Sequence, residues 1–137
     1  MERATESTMS REEKRFVIQK HASGIRHKRI HWDFMLESDD TLRTYRLDKA
    51  PEEVVHRTAN AEKIFDHPLR FLTYQGLVNK GTGNVRIAEA GTYQIIHQED
   101  SRIELYLSGR ILKGKFIMTH IKDDDWRFTK DTSFRDG

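Results

Sequence analysis

Residues 30–37 read Ile-His-Trp-Asp-Phe-Met-Leu-Glu and alternate without a break. Ile30, Trp32, Phe34 and Leu36 fall on one face, and His31, Asp33, Met35 and Glu37 on the other, the period-two pattern of a half-buried β-strand. An imidazole and a carboxylate two residues apart point the same way, near enough to share one divalent ion. Upstream, Phe16-Val17-Ile18-Gln19-Lys20-His21 is a second strand candidate that puts Gln19 and His21 on a common face. A histidine from one strand and a His-x-Asp pair from another make a three-ligand metal site with positions open for water or phosphate.

The chain around these strands has 137 residues, suited to one compact domain, but its low apolar fraction limits the thickness of the core. It has no apolar run of membrane-spanning length and no signal-peptide pattern, so neither a membrane contact nor export is expected. Without cysteine, any metal must be held by histidine, carboxylate or carbonyl groups, and a cytoplasmic location fits. The net charge of +2 does not announce a nucleic-acid binder, but its distribution does more. Lys20, Arg26, His27, Lys28 and Arg29, with no acidic residue among them, lie between the two halves of the metal site, where they would concentrate phosphate.

Residues 1–13 read as a mobile leader, 131–137 as a mobile tail, and 14–130 as the domain. Ser38-Asp39-Asp40 turns the chain into a strand from Leu42 to Leu47. Pro51-Glu52-Glu53 opens a helix of about two turns, with proline at an early helical position and carboxylates in the first turn. Ala61–Asp66 is a strand, and His67-Pro68 is expected to leave regular structure. Phe71–Val78 should contact the core, and Lys80–Asn84 is a loop. Val85–Ala88, Thr92–His97, Arg102–Leu107, Lys115–Ile121 and Trp126–Lys130 complete the series. The expected fold is all-β, a small closed or nearly closed β-barrel with at most one or two short helices. A polar face inside such a barrel is either functional or fully hydrogen-bonded, so His31 and Asp33 are either ligands or members of a satisfied network.

Several segments occur in a telling order: residues 16–21 and 31–37, Lys49 before Pro51, Asp66-His67-Pro68-Leu69, Gly76 with Asn79-Lys80-Gly81, Gly91-Thr92-Tyr93, Leu112–Phe116, and Trp126 with Lys130. In this order the chain resembles the 3′-phosphoesterase domain of the bacterial and archaeal DNA ligase D repair system, over roughly residues 15–130. The resemblance implies a small barrel that uses a divalent metal, manganese preferred and zinc or cobalt as alternatives. Such domains remove a 3′-terminal ribonucleoside and then the 3′-phosphate during strand-break repair by non-homologous end joining. It implies His21, His31 and Asp33 as metal ligands and His67 as a phosphate-contacting histidine with a proton-transfer role. It also puts Gln19, Lys49 and Asp66 at catalytic positions. The implied partners are DNA or DNA–RNA 3′ ends and ligase or polymerase proteins in trans, with the domain itself a monomer.

The family pattern His-x-Asp-x-Arg has Met35 at its arginine position. A tyrosine position falls on Phe71, an acidic one on Phe65, and an arginine one near Ala59, with Arg57 nearby. The connection from His21 to His31 is longer than in the family, which makes His27 an alternative to His21 as ligand. It also offers Arg26 or Arg29 as the replacement phosphate-binding cation. Two functions follow: a metal-dependent 3′-end phosphoesterase, or a catalytically reduced barrel that binds nucleic-acid ends or a repair partner without cleavage. A structural zinc site at His27-x-x-x-His31 lacks further ligands. Asp123-Asp124-Asp125 reads as a solvated turn, His97 and His120 as ordinary strand histidines, and Trp32 and Trp126 as core.

Overall fold

A computed structural model describes residues 13–24, 26 and 28–133. Nine strands form one antiparallel sheet: β1 (Lys14–Ser23), β2 (Arg29–Ser38), β3 (Thr41–Leu47), β4 (Ala59–Pro68), β5 (Gly76–Val78), β6 (Gly83–Glu99), β7 (Arg102–Gly109), β8 (Lys113–Lys122) and β9 (Asp125–Lys130). They are ordered β1-β2-β3-β4-β9-β8-β7-β6-β5, and a further pairing of β1 with β6 brings the sheet back on itself as a barrel-like ring. Closure removes the unpaired edges that an open sheet would present to other chains. The all-β expectation holds. Among the described residues, helical structure is confined to α1 (Pro51–Val54) and the 3₁₀ turns Leu69–Leu72 and Asn79–Gly81.

The alternation seen in the sequence becomes two separate cores. Phe16 and Ile18 of β1, Phe34 and Leu36 of β2, and Tyr45 and Leu47 of β3 meet Leu105, Phe116, Met118 and Phe128 inside the ring. Phe128 stacks on both Phe34, at 4.8 Å, and Phe116, at 5.4 Å. The opposite faces of the same strands carry Val17, Met35 and Leu42, which form a second, smaller cluster on the outside of the sheet, covered by Leu69, Phe71 and Leu72. The polar face expected inside the barrel therefore lies outside it. An eight-strand ring is just wide enough for its own inward side chains, and the buried cluster within it is apolar and aromatic.

Three local expectations are corrected. α1 is four residues long, one turn rather than two. His67 and Pro68 remain within β4, because the residue before a proline is pushed toward extended geometry, which a strand accepts. The segments 85–88 and 92–97 belong to a single strand of 17 residues, with no turn between them. Its continuity passes through Glu89, whose buried carboxylate accepts backbone N–H groups from Ala90, Arg110, Ile111 and Leu112 at 2.7–3.1 Å, tying β6 to the β7–β8 corner. Residues 1–12 of the expected leader and 134–137 of the expected tail lie outside the described residues. Asp131 donates its N–H to Lys115 O at 2.9 Å.

Candidate active site

β1 and β2 pair in a register that sets His21 opposite His31 and Gln19 opposite Asp33. With the strands' common outer face carrying these four, the imidazoles and the carboxylate converge. His21 Nδ1 lies 3.0 Å from His31 Nε2, His31 Nε2 lies 3.5 Å from Asp33 Oδ1, and His21 Nδ1 lies 4.0 Å from Asp33 Oδ2. One donor atom from each residue falls within 4.8 Å of the others. Donors bound to one ion at about 2.1 Å and separated by near-octahedral to tetrahedral angles stand about 3.0–3.4 Å apart, so only small adjustments separate this cluster from a ligand set. The buried atoms support the same reading. Asp33 Oδ1, turned into the cluster, has no hydrogen-bond partner. An anionic oxygen buried beside two imidazole nitrogens and lacking a donor is stabilised by a cation. His27, the alternative ligand, lies outside the described residues.

The strand behind His21 must be bare for the ring to fit. A Cβ on Gly83 of β6 would stand 2.9 Å from His21 Nε2 and 3.1 Å from Val78 Cγ2. Burial pushes the His21 imidazole below its ordinary pKa, with His31 acting in the same direction and Asp33 against it. The ring is thereby kept in the unprotonated form that ligates metals.

His67 reaches this face through a β-bulge. Leu42 pairs with His67 and Thr44 with Ile64, so one residue of β3, Arg43, opposes two of β4, Phe65 and Asp66. The extra residue shifts the alternation by one and turns His67 to the side occupied by Leu42 and Thr44. Thr44 Oγ1 donates its only proton to Leu42 O at 3.0 Å and so accepts from His67 Nδ1–H at 2.9 Å. This leaves Nε2 of His67 as the acceptor nitrogen. Burial lowers the His67 pKa, and the Asp33 carboxylate opposes that shift. Phe65 stacks on the imidazole at 4.8 Å, and Phe71 meets it edge-on at 5.7 Å.

The comparisons with known proteins follow this geometry. Residues 19–120 match the family model described as the DNA Ligase D 3′-phosphoesterase domain. The chain belongs to the DNA ligase D 3′-phosphoesterase domain family. It is 27% identical over 126 residues to the multifunctional non-homologous end joining protein LigD of Mycolicibacterium smegmatis, covering 82% of this chain and 16% of that protein. It is 31% identical over 121 residues to the multifunctional non-homologous end joining DNA repair protein LigD of Mycobacterium tuberculosis, covering 81% and 15%. The Pseudomonas aeruginosa LigD is 28% identical over 130 residues, covering 85% and 15%. The chain thus spans about one sixth of the length of these relatives.

The remaining positions that the family resemblance singled out are spread around the cluster. Gln19 is buried beside Asp33, and its amide donates to Phe71 O and Tyr74 O, both at 2.8 Å, clamping the 69–75 segment over the outer core. Lys49 pairs with Asp48 and Asp66 with Lys63, both at 3.5 Å, so neither is joined to the cluster by a direct contact. Arg26 and Arg29 are exposed on the β1–β2 connection and form no ion pair among the described residues. Met35, at the family's arginine position, is buried in the outer core.

The residue that sequence reasoning missed is Arg46. β3 pairs with β2 so that Arg46 stands opposite Asp33, with its Nε 3.6 Å from Oδ1. The signal was available: strands joined by the two-residue turn Asp39-Asp40 pair Ser38 with Thr41, and counting back from that pair puts Asp33 against Arg46.

Proposed function

We propose that this protein is a divalent-metal-dependent 3′-end phosphoesterase, acting in the cytoplasm on DNA or DNA–RNA termini during non-homologous end joining. The observation that carries the reading is the convergence of His21 Nδ1, His31 Nε2 and the Asp33 carboxylate on one face, with Asp33 Oδ1 buried and unpartnered, beside a histidine whose tautomer is fixed. Membership of the family supports it. His21, His31 and Asp33 would hold the ion, with manganese the preferred metal and zinc or cobalt as alternatives. A bound divalent ion supplies charge neutralisation and Lewis acidity to a phosphoryl group whose own anionic oxygens repel nucleophiles.

The chain's own residues supply the rest. A water would form the new P–O bond as the ester P–O bond breaks, and His67, unprotonated at neutral pH with Nδ1–H committed to Thr44, would take that water's proton at Nε2 and give it to the departing ester oxygen. Gln19 holds the 69–75 segment in place against the outer core, keeping Phe71 beside the His67 ring. A surface groove lined by His31 and Arg46 lies beside the cluster, where a chain end can approach.

Manganese-dependent release of inorganic phosphate from a primer with a 3′-phosphate, abolished by His31→Ala and by Asp33→Ala, is the expected result. Buried Met35 and the apolar Phe65 and Phe71 favour a second reading, a reduced domain that binds ends without cutting them. Tight, salt-sensitive binding to 3′ ends with no turnover under manganese, zinc or cobalt would select it.

A further inference from the structure

We infer that Arg46, carried on the strand next to the ligand strand, is the phosphate-anchoring cation of this site, which takes over a task that buried Met35 cannot perform. The inference rests on the phosphoesterase reading for its substrate, and on geometry for its residue. Arg46 Nε is buried and makes no hydrogen bond, and 3.6 Å from Asp33 Oδ1 is an ion pair without a bond. The rest of the guanidinium makes no hydrogen bond among the described residues, and its side chain is 40% exposed. A guanidinium used only to neutralise Asp33 would turn its planar fork onto the carboxylate, as Arg15 does with Glu37 at 2.6 and 3.1 Å. Arg46 instead keeps its donors free.

Those donors are in the right place. His31 and Arg46 line the same surface groove of about 560 Å³, together with Asn60, Trp126 and Arg127. The guanidinium also sits within electrostatic reach of both His21 and His67. Charge counting points the same way. Two neutral imidazoles, one carboxylate and a divalent ion leave a net +1, and Arg46 raises it to +2, the complement of a phosphate monoester dianion. A planar, permanently charged fork at the mouth of a metal site grips two phosphate oxygens at once, which an ammonium cannot do. Arg26 and Arg29 lack any comparable link to the cluster, so the replacement cation comes from β3 and not from the long β1–β2 connection.

The test uses the full chain with manganese and inorganic phosphate as probes, followed by turnover of a 3′-phosphate primer. Arg46→Met should fold, with a melting temperature that is lowered in chelator and restored by manganese, and should bind manganese at least as tightly as wild type, since a cation beside Asp33 has been removed. Its manganese-loaded form should bind inorganic phosphate about tenfold or more weakly, and kcat/KM should fall about 100-fold. Arg46→Lys should recover only part of both losses, having charge without the fork. Weakened manganese binding with unchanged phosphate affinity would mean that Arg46 only positions Asp33, and would overturn the inference. Wild-type phosphate affinity and turnover in Arg46→Met would overturn it and leave the phosphoesterase reading standing. Phosphate held through Arg46 in a wild-type protein with no turnover would keep the inference and overturn that reading. Wild-type protein that takes up manganese without binding phosphate would overturn both.

Discussion

Gly83→Ala separates the metal site from the fold. Its added Cβ would lie 2.9 Å from His21 Nε2 and 3.1 Å from Val78 Cγ2, where ordinary contact begins at 3.4 Å, an overlap of half an ångström on the imidazole. The backbone cannot retreat, because Gly83 is paired with Ser23 on one side and Val78 on the other. The ring must therefore tilt, and its Nδ1 leaves the position 3.0 Å from His31 Nε2. Displacing a ligand by a fraction of an ångström through its supporting contacts costs about 10–100-fold in metal affinity, or about 1.4–2.8 kcal/mol. Folding should scarcely notice. Gly83 is absent from the positive-φ glycines, so alanine suits its backbone. The entropy removed from the unfolded chain is worth about 0.4–1 kcal/mol in the variant's favour, against the cost of the contact. Titration calorimetry with manganese and thermal melts in chelator should show a weakened site in a protein of near wild-type stability. Unchanged manganese affinity in Gly83→Ala, alongside lost affinity in His21→Ala, would refute the claim that a bare strand holds this ligand in place.

Asp33→Asn keeps the shape of the side chain and removes its charge. The stabilisation of about 2.7 kcal/mol that manganese gives at a hundredfold excess over its Kd should disappear from thermal melts of the variant. Glu89→Gln places an amide against backbone N–H groups of Ile111 and Leu112 that now donate at 2.7 Å, and should cost about 3 kcal/mol in urea unfolding with manganese affinity unchanged. A loss below about 0.5 kcal/mol would contradict the clamp. His21 and His67 are both held below their ordinary pKa of 6.5 chiefly by burial, so the folded protein binds fewer protons than the unfolded one just below that pH. Their contribution to the metal-free protein is complete above pH 6.5 and is lost as pH falls through the folded values. Melting temperature in chelator should therefore drop on acidification from about pH 7.5 to about 5, and His67→Asn should make the slope shallower. An equal slope in the variant would remove His67 from that account.

The strand pattern was legible because period-two alternation is written directly into residues such as Ile30–Glu37, and burial follows it, with Phe34 and Leu36 inside the ring. Which side of the ring the polar face occupies was not legible. Alternation separates two faces but carries no sign, and Val17 and Met35 on the polar faces of β1 and β2 are the hints that this side too has a core to bury. The long β6 was divided in the reading because Glu89-Ala90-Gly91 looks like a turn, and only the distant N–H groups of residues 110–112 make a buried glutamate there stable. The role of the bulge at Phe65–Asp66 was hidden for a similar reason, since a one-residue slip depends on how β3 and β4 pair. Arg46 was within reach by counting through the Asp39-Asp40 turn. Its place beside Asp33 is a cross-strand relation, which neither the residues along β2 nor those of the adjacent loop reveal.

The outer position of the cluster decides how far a substitution beside it is felt. Inside the ring, each side chain is shared by several strands, and a change there is felt throughout the fold. Outside it, Met35, Val17 and Leu42 rest only beneath Leu69, Phe71 and Leu72, so a substitution in this small layer disturbs a local patch and leaves the ring intact. The methionine at position 35 enlarges that patch, and on the inference above the phosphate-binding charge stands on β3 instead, where it asks nothing of the barrel interior. The three proposed ligand positions have no such freedom, because their donor atoms must meet at one point set by the β1–β2 register, so a substitution at any of them removes the site while one in the outer patch need not.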